Sequence, residues 1–326
     1  MAELRWDPLL RTWVLFASHR QTRPLLPQDQ CPFCPGSGRV PDTYDVYAYD
    51  NDFPSLALEP PEPDIAGDEL VPVEPGFGKC EVTLYSSEHD TTLPELPLEH
   101  VVKLVDHWEE RYREMGAIQG IEYVFIFENR GEVVGVTITH PHGQIYAYPF
   151  IPLRIKAELD STLAHWRERN SCLICDLREH ETTAASRIVY EHAGWTAFVP
   201  PFAQYPYEVF VVPHRHLGSL SEMSGEEKLG LAMAIKCVTG GYDDLFGIPF
   251  PYMMCMNQNP TDGGEYPYYH FHIEFYPPMR SRDTLKYNAS SETGAWAHIN
   301  PTSPEEKAGE LRERIGKRLD ELGQPC

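Results

Sequence analysis

Val101, Leu104, Val105, Trp108, Tyr112 and Met115 recur every three or four positions, which predicts one buried stripe along an α-helix. Just ahead of it, Glu81-Val82-Thr83-Leu84-Tyr85 alternates as a strand does. Further strands are expected over 13–16, 121–127 and 133–150, and a helix over 153–169. Residues 59–77 are crowded with prolines and acids and predict an exposed loop.

The pattern then repeats. Cys172-Leu173-Ile174-Cys175 matches Cys31-Pro32-Phe33-Cys34, each read as a tight knuckle. Glu208-Val209-Phe210-Val211-Val212 matches 81–85 and His216 matches His89, both at a shift of 127 residues. Leu220-Ser221-Glu222-Met223 matches 93–96, a helix is expected from about 225 to 239, and a strand over 251–256. His270-Phe271-His272-Ile273-Glu274 then matches His140-Pro141-His142-Gly143-Gln144 at a shift of 130. One order at nearly constant spacing indicates a duplication. A last helix opens on Ser303-Pro304-Glu305-Glu306, with an N-cap, a proline at N1 and a capping-box glutamate. Its stripe is Leu311, Ile315, Leu319 and Leu322. The expected architecture is α+β, with two halves (1–165 and 166–326), each an antiparallel sheet with packed helices.

Composition narrows the function classes. The 326 residues carry 27 basic and 49 acidic side chains, a net charge of −22, which argues against nucleic acid or anionic membrane as partner. A few local arginines can still hold an anionic small molecule. No apolar run approaches a membrane span and the first residues do not read as a secretion signal, so a cytoplasmic location is expected. In that setting CxxC pairs read as metal ligands or redox thiols, not as disulfides.

A CxxC pair plus two distant histidines suits tetrahedral zinc, and the repeat predicts which histidines. One set is Cys31, Cys34, His89 and His140; the other is Cys172, Cys175, His216 and His270. Four protein ligands leave no open position, so both zincs are expected to be structural. Buried thiols or a redox pair are the alternatives, but neither CxxC opens a recognisable βαβ helix. Residues two apart on a strand share a face, so His140 and His142 are expected side by side, with Gln144 next. With His140 on zinc, His142 is left to attack phosphorus. Asn129, Gly131, Gly135 and Thr137 offer amide, hydroxyl and backbone N–H groups to phosphate oxygens, and the Gln144 amide can steady a phosphoramidate. Glutamine at that position, unlike a third histidine, favours transfer over hydrolysis.

Phe127-Glu128-Asn129-Arg130-Gly131 followed by His140-Pro141-His142-Gly143-Gln144 resembles the signature of the galactose-1-phosphate uridylyltransferases, a branch of the histidine-triad superfamily. The likeness spans nearly the whole chain. It implies a duplicated histidine-triad-like fold and exchange of UMP between UDP-glucose and galactose-1-phosphate through uridylyl-His142. It also implies homodimers whose active sites borrow residues from the partner subunit. By the same resemblance, Arg20 and Arg23 hold phosphate, and Asn51 and Asp52 contact nucleotide. Asn129, Gly135, Thr137, His142 and Gln144 grip the uridylyl group, and Cys31, Cys34, His89 and His140 fall on zinc ligands. Phe275-Tyr276-Pro277-Pro278, Lys286 and Glu292 resemble a segment that contacts the sugar phosphate.

Some members carry iron on one glutamate and three histidines. Glu158 and His272 fall on two of those positions, but Asn257 and Glu274 stand where histidines would be, so iron is not expected and a second zinc is. Paired CxxC motifs also resemble two-zinc relatives that include ADP-glucose phosphorylases. An ADP-glucose or dinucleoside-polyphosphate phosphorylase is therefore the rival enzyme. A non-catalytic zinc protein that binds nucleotide is the rival from another class.

Overall fold

The computed structural model describes residues 2–22 and 31–323. The first half runs β1 (Glu3–Asp7), β2 (Thr12–Phe16), β3 (Tyr47–Asp50), β4 (Val73–Pro75), β5 (Lys79–Leu84) and α1 (Leu98–Gly116). It continues with β6 (Tyr123–Arg130), β7 (His142–Tyr148) and α2 (Leu153–Arg169). The second half holds α3 (Leu173–Ala184), β8 (Ile188–His192), β9 (Trp195–Phe198), β10 (Val209–Pro213) and α4 (Gly225–Phe246). Then come β11 (Tyr252–Asn257), β12 (His272–Tyr276), the hairpin β13 (Met279–Ser281) and β14 (Thr284–Leu285), α5 (Ser290–Ala295) and α6 (Pro304–Glu321).

The repeat becomes visible in the pairing. One nine-stranded sheet has the order β3-β5-β7-β6-β11-β12-β10-β9-β8, and each neighbouring pair is antiparallel. Within it β5-β7-β6 and β10-β12-β11 are the same unit used twice. They meet where β6 pairs with β11, from Tyr252↔Arg130 to Met256↔Ile126. A separate sheet, β2-β1-β4, lies at the N-terminal side.

Strand alternation sorts the two faces of the large sheet. Ile126 of β6, Ile145 and Ala147 of β7, Met254 of β11 and Ile273 and Phe275 of β12 enter one core. All six stripe residues of α1 are buried in that core, together with most of α4. The opposite face meets α2, whose Ile155 and Leu159 pack on Tyr123 and Tyr269. Residues of β6, β7, β11 and β12 with odd and even positions thus have fixed destinations, and His142 falls on the α2 side of the sheet.

Several expectations need correction. The strand expected over 133–150 begins only at His142, because Gly131 (φ 98°) and Gly135 (φ 88°) turn the chain through conformations that other residues resist. Pro141, which has no N–H for a ladder, precedes it, so His140 lies just outside the strand. Val73–Pro75, within the expected loop, is an edge strand paired to β1. The helix expected to stop near 239 continues to Phe246 through Gly240 and Gly241, because α6 crosses at that glycine pair. The second CxxC is no simple knuckle: Cys172 is the N-cap of α3 and accepts from the Cys175 N–H. At α6 the Ser303 cap on the Glu306 N–H forms, but the reciprocal glutamate bond is not seen.

Candidate active site and metal centres

A cleft of about 280 Å³ opens on the α2 side of the sheet. It is reached by every second residue of β7: His142, Gln144 and Tyr146 line it, while Gly143, Ile145 and Ala147 are buried on the other face. Gly143 has no room for a side chain, since a Cβ there would sit 2.3 Å from the Tyr85 hydroxyl. From β6 come Phe127 and Asn129, and from the glycine turn come Gly135 and Thr137. Arg20, Asn51 and Asp52 complete the expected set along the lining. Arg23 lies outside the described residues.

Two expected residues are not brought here. Lys286 and Glu292 do not line the cleft; they pair with each other (Nζ to Oε1, 3.3 Å) in the C-terminal segment. Gly135 does line it, but its N–H donates to the Glu132 carbonyl (2.9 Å). The backbone donor expected from Gly135 is therefore already used, and its part is to shape the turn.

His142 is held in one tautomer. Its Nδ1–H donates to the His140 carbonyl at 2.8 Å, which leaves the lone pair on Nε2. The Phe33 ring lies against it at 5.5 Å between centroids and also touches His140. The duplicate keeps this bond, with His272 Nδ1 at 2.9 Å from the His270 carbonyl. There the resemblance to a cleft ends. His272 is buried, Asn257 faces its Nε2 at 3.2 Å, and Glu274 stands where the first half has Gln144.

The two Cys–His sets assemble as the repeat predicted. The ligand atoms of Cys31, Cys34, His89 and His140 lie within 4.8 Å of one another, and so do those of Cys172, Cys175, His216 and His270. In the first set Cys34 Sγ is 3.3 Å from His89 Nδ1 and 3.7 Å from His140 Nδ1. His140 turns its Nε2–H to the Ser86 carbonyl at 2.7 Å, which aims Nδ1 at the thiols. Burial lowers its pKa to about 4, so its ring is neutral, as a ligand must be. Burial, with Cys31 beside it, pushes the Cys34 thiol up to about 11; a bound cation would reverse that shift. In the second set Cys175 Sγ is 3.3 Å from His270 Nδ1, and the buried Nε2 of His270 has no hydrogen-bond partner. Both donor sets fit a soft or borderline divalent ion, which would tie the start of each HxH segment to its CxxC.

The positions resembling an iron site also converge, with ligand atoms of Glu158, His272 and Glu274 within 4.8 Å. They do not fit a metal well, because Arg154 already supplies the positive charge. Its Nη2 reaches both Glu274 oxygens at 2.9 and 3.1 Å, and its Nε reaches Glu158 at 3.1 Å. Burial, then the charge of Glu274, raises the Glu158 pKa. Arg154 and Glu158 belong to α2, so this helix fills in the second half the space that is a cleft in the first.

Four more residues lining the cleft escaped the sequence reading. Arg39 and Tyr49 both hold the Asp52 carboxylate, Tyr49 at 2.8 Å, and no local pattern marks either. Phe33 sits inside the first CxxC. Tyr146 could have been found, since it is the next same-face residue after His142 and Gln144.

Among known proteins, the model of the galactose-1-phosphate uridyl transferase N-terminal domain matches residues 1–152, and that of the C-terminal domain matches 158–288. A galactose-1-phosphate uridylyltransferase from Thermotoga maritima is 44% identical over 315 residues, covering 96% of this chain and 98% of that one. Another from Haemophilus influenzae is 32% identical over 300 residues, covering 86% and 85%. A solved uridylyltransferase superposes with a TM-score of 0.89 at 34% identity, covering 97% of this chain and 99% of that one. An ADP-glucose phosphorylase from Arabidopsis thaliana, solved with bound ADP-glucose, shares the fold with a TM-score of 0.74 at 23% identity, covering 96% and 99%.

Proposed function

Because the chain belongs to the galactose-1-phosphate uridylyltransferase family, and is a nucleotidyltransferase on that ground, we propose that His142 is the residue that carries the uridylyl group between sugar phosphates. The observation that supports this most directly is the bond from His142 Nδ1–H to the His140 carbonyl, 2.8 Å long. It puts the reactive lone pair on Nε2, beside Gln144 on the cleft face of the same strand.

In the first step Nε2 attacks the α-phosphorus of UDP-glucose. The N–P bond forms, the bond to the bridging oxygen breaks, and glucose-1-phosphate leaves with that oxygen. A phosphate oxygen of galactose-1-phosphate then attacks the same phosphorus, the N–P bond breaks, and UDP-galactose departs. Arg20 supplies positive charge to the phosphates, and Asn129 and Thr137 supply donors. Asn51 and Asp52, the latter braced by Arg39 and Tyr49, face the nucleotide. The Gln144 amide donates to phosphoryl oxygens without being able to accept a proton from water, which favours transfer over hydrolysis.

We assign zinc to both Cys–His sets. Zinc would hold Cys31, Cys34, His89 and His140 together and so fix the carbonyl that orients His142. The two halves, 1–165 and 166–326, then divide the work, with the chemistry in the first and a structural role for the second. Dimerisation belongs to the same proposal. Lys286 and Glu292 are away from this subunit's cleft, and the segment around them exposes Tyr287, Trp296 and Ile299 (74%, 58% and 63%), apolar surface suited to a second copy.

Incubation with UDP-glucose alone, followed by intact-mass measurement, tests the chemistry. A uridylyl adduct is expected on the parent and none on His142→Ala; an adduct that survives the substitution would refute the assignment. Galactose-1-phosphate should discharge the adduct faster than inorganic phosphate does, and the reverse would mark a phosphorylase. Elemental analysis of the same sample should find two zincs per chain, and clearly fewer would remove the second site.

A further inference from the structure

Gln144 can help a phosphoryl group only with one end of its amide. Its NH₂ donates to phosphoryl oxygens, whereas its carbonyl oxygen would repel them. The two ends have the same shape, so packing alone cannot select between them. A directional hydrogen bond can.

Such a bond is present. The Tyr146 hydroxyl lies 3.3 Å from Gln144 Oε1 and 3.5 Å from Arg20 Nη1. Arginine only donates, so the Tyr146 oxygen is the acceptor of that contact and its single hydrogen points to Gln144. The Gln144 carbonyl is then occupied, and its NH₂ is the end left for the cleft. Arg20 is itself anchored through Ser55, whose Oγ accepts from Nη1 at 2.6 Å. The Tyr146 ring is fixed by Phe127 at 5.1 Å and Tyr148 at 6.0 Å between centroids. Burial raises its pKa, so the hydroxyl keeps the proton that the relay needs. All three relay members line the cleft.

We infer that Tyr146 is a positioning residue for uridylyl transfer, setting which end of the Gln144 amide faces the reacting phosphorus. This rests on the assignment of His142 and Gln144 above. Arg20, the origin of the relay, also faces the phosphates, so an anion in the cleft competes for its donors but not for the tyrosine hydrogen on Gln144.

Tyr146→Phe tests the inference while leaving the ring in place. The expected result is a fall in kcat of about tenfold, the scale of one mis-set hydrogen bond, with KM for UDP-glucose within about twofold of the parent. A role in packing alone would leave kcat unmoved or change both constants together. The same substitution in a Gln144→Ala background, followed as the rate of adduct formation in single turnovers, is expected to cost nothing further. Parent-like kcat in Tyr146→Phe, or an equal loss in both backgrounds, would overturn the inference. If the parent itself forms no adduct the underlying assignment fails instead, and the two failures are thus distinguishable.

Discussion

Glu128 is a carboxyl buried within the sheet. It belongs to the same five-residue motif as Asn129, but strand alternation sends it to the core face, between the hydroxyls of Tyr85 (3.3 Å) and Tyr252 (3.1 Å). Burial pushes its carboxyl from the ordinary 4.5 up to about 7. Between those values the folded chain holds a proton that the unfolded chain has released, so stability falls as pH rises through the window and levels off above it. Glu128→Gln should remove this slope, leaving stability similar near about pH 5 and higher than the parent by up to about 3 kcal/mol near about pH 8. Urea melts at the two pH values measure it; a variant that keeps the parent's slope would assign the effect elsewhere. The neighbouring Arg130 is equally remote from the cleft, forked onto Asp243 at 2.8 and 3.0 Å. The motif thus mixes residues that build the sheet with two, Phe127 and Asn129, that line the cleft.

At the scale of elements, two helices show how context decides the sign of a glycine substitution. An alanine Cβ at Gly241 in α4 would meet Ile315 of α6 at 2.6 Å. Overpacking of that kind costs about 1–3 kcal/mol, more than the roughly 1 kcal/mol of helix propensity that alanine returns. Gly309, in α6 itself, is exposed and has nothing within 4 Å of its Cβ position. Gly241→Ala should therefore lower the melting temperature and Gly309→Ala should raise it; the same sign for both would contradict the packing seen between α4 and α6. The pair also explains the misplaced end of α4. Gly240 and Gly241 do not stop this helix; they are the residues small enough for a crossing helix. The late start of β7 has a comparable origin, since Gly131, Gly135 and Pro141 break a stretch whose apolar alternation would otherwise read as strand.

At the scale of the whole molecule, no helix among the described residues is long and apolar enough to cross a membrane. The fused sheet brings two copies of one unit edge to edge, with a cleft in the first and α2 over the second. The proposed dimer would complete the cleft with Lys286 and Glu292 of a second subunit. Co-expressing His142→Ala with Lys286→Ala then gives a decisive outcome. Each variant alone should be nearly inactive, while mixed dimers should recover activity, because one of their two clefts has an intact histidine and an intact lysine. Mixtures no more active than either parent variant, or a monomer by light scattering, would count against a shared site.

Much of this was legible from residue order. The stripe of α1, the bounds of α2, the eight-residue Cys–His pairing and the same-face placement of His142 and Gln144 all follow from periods of two and 3.6 and from a repeat with constant spacing. Those rules work because they concern neighbours along one element or copies of one element. Three things lay beyond them: that Arg154 fills the second unit's site, that the Gly135 N–H is already bonded, and that Tyr146 links Arg20 to Gln144. The first and last depend on atoms more than a hundred residues apart meeting within a few ångströms, which only packing of the folded chain sets; the Gly135 bond to Glu132 is local, but it depends on a turn conformation that the apolar alternation of this stretch does not signal.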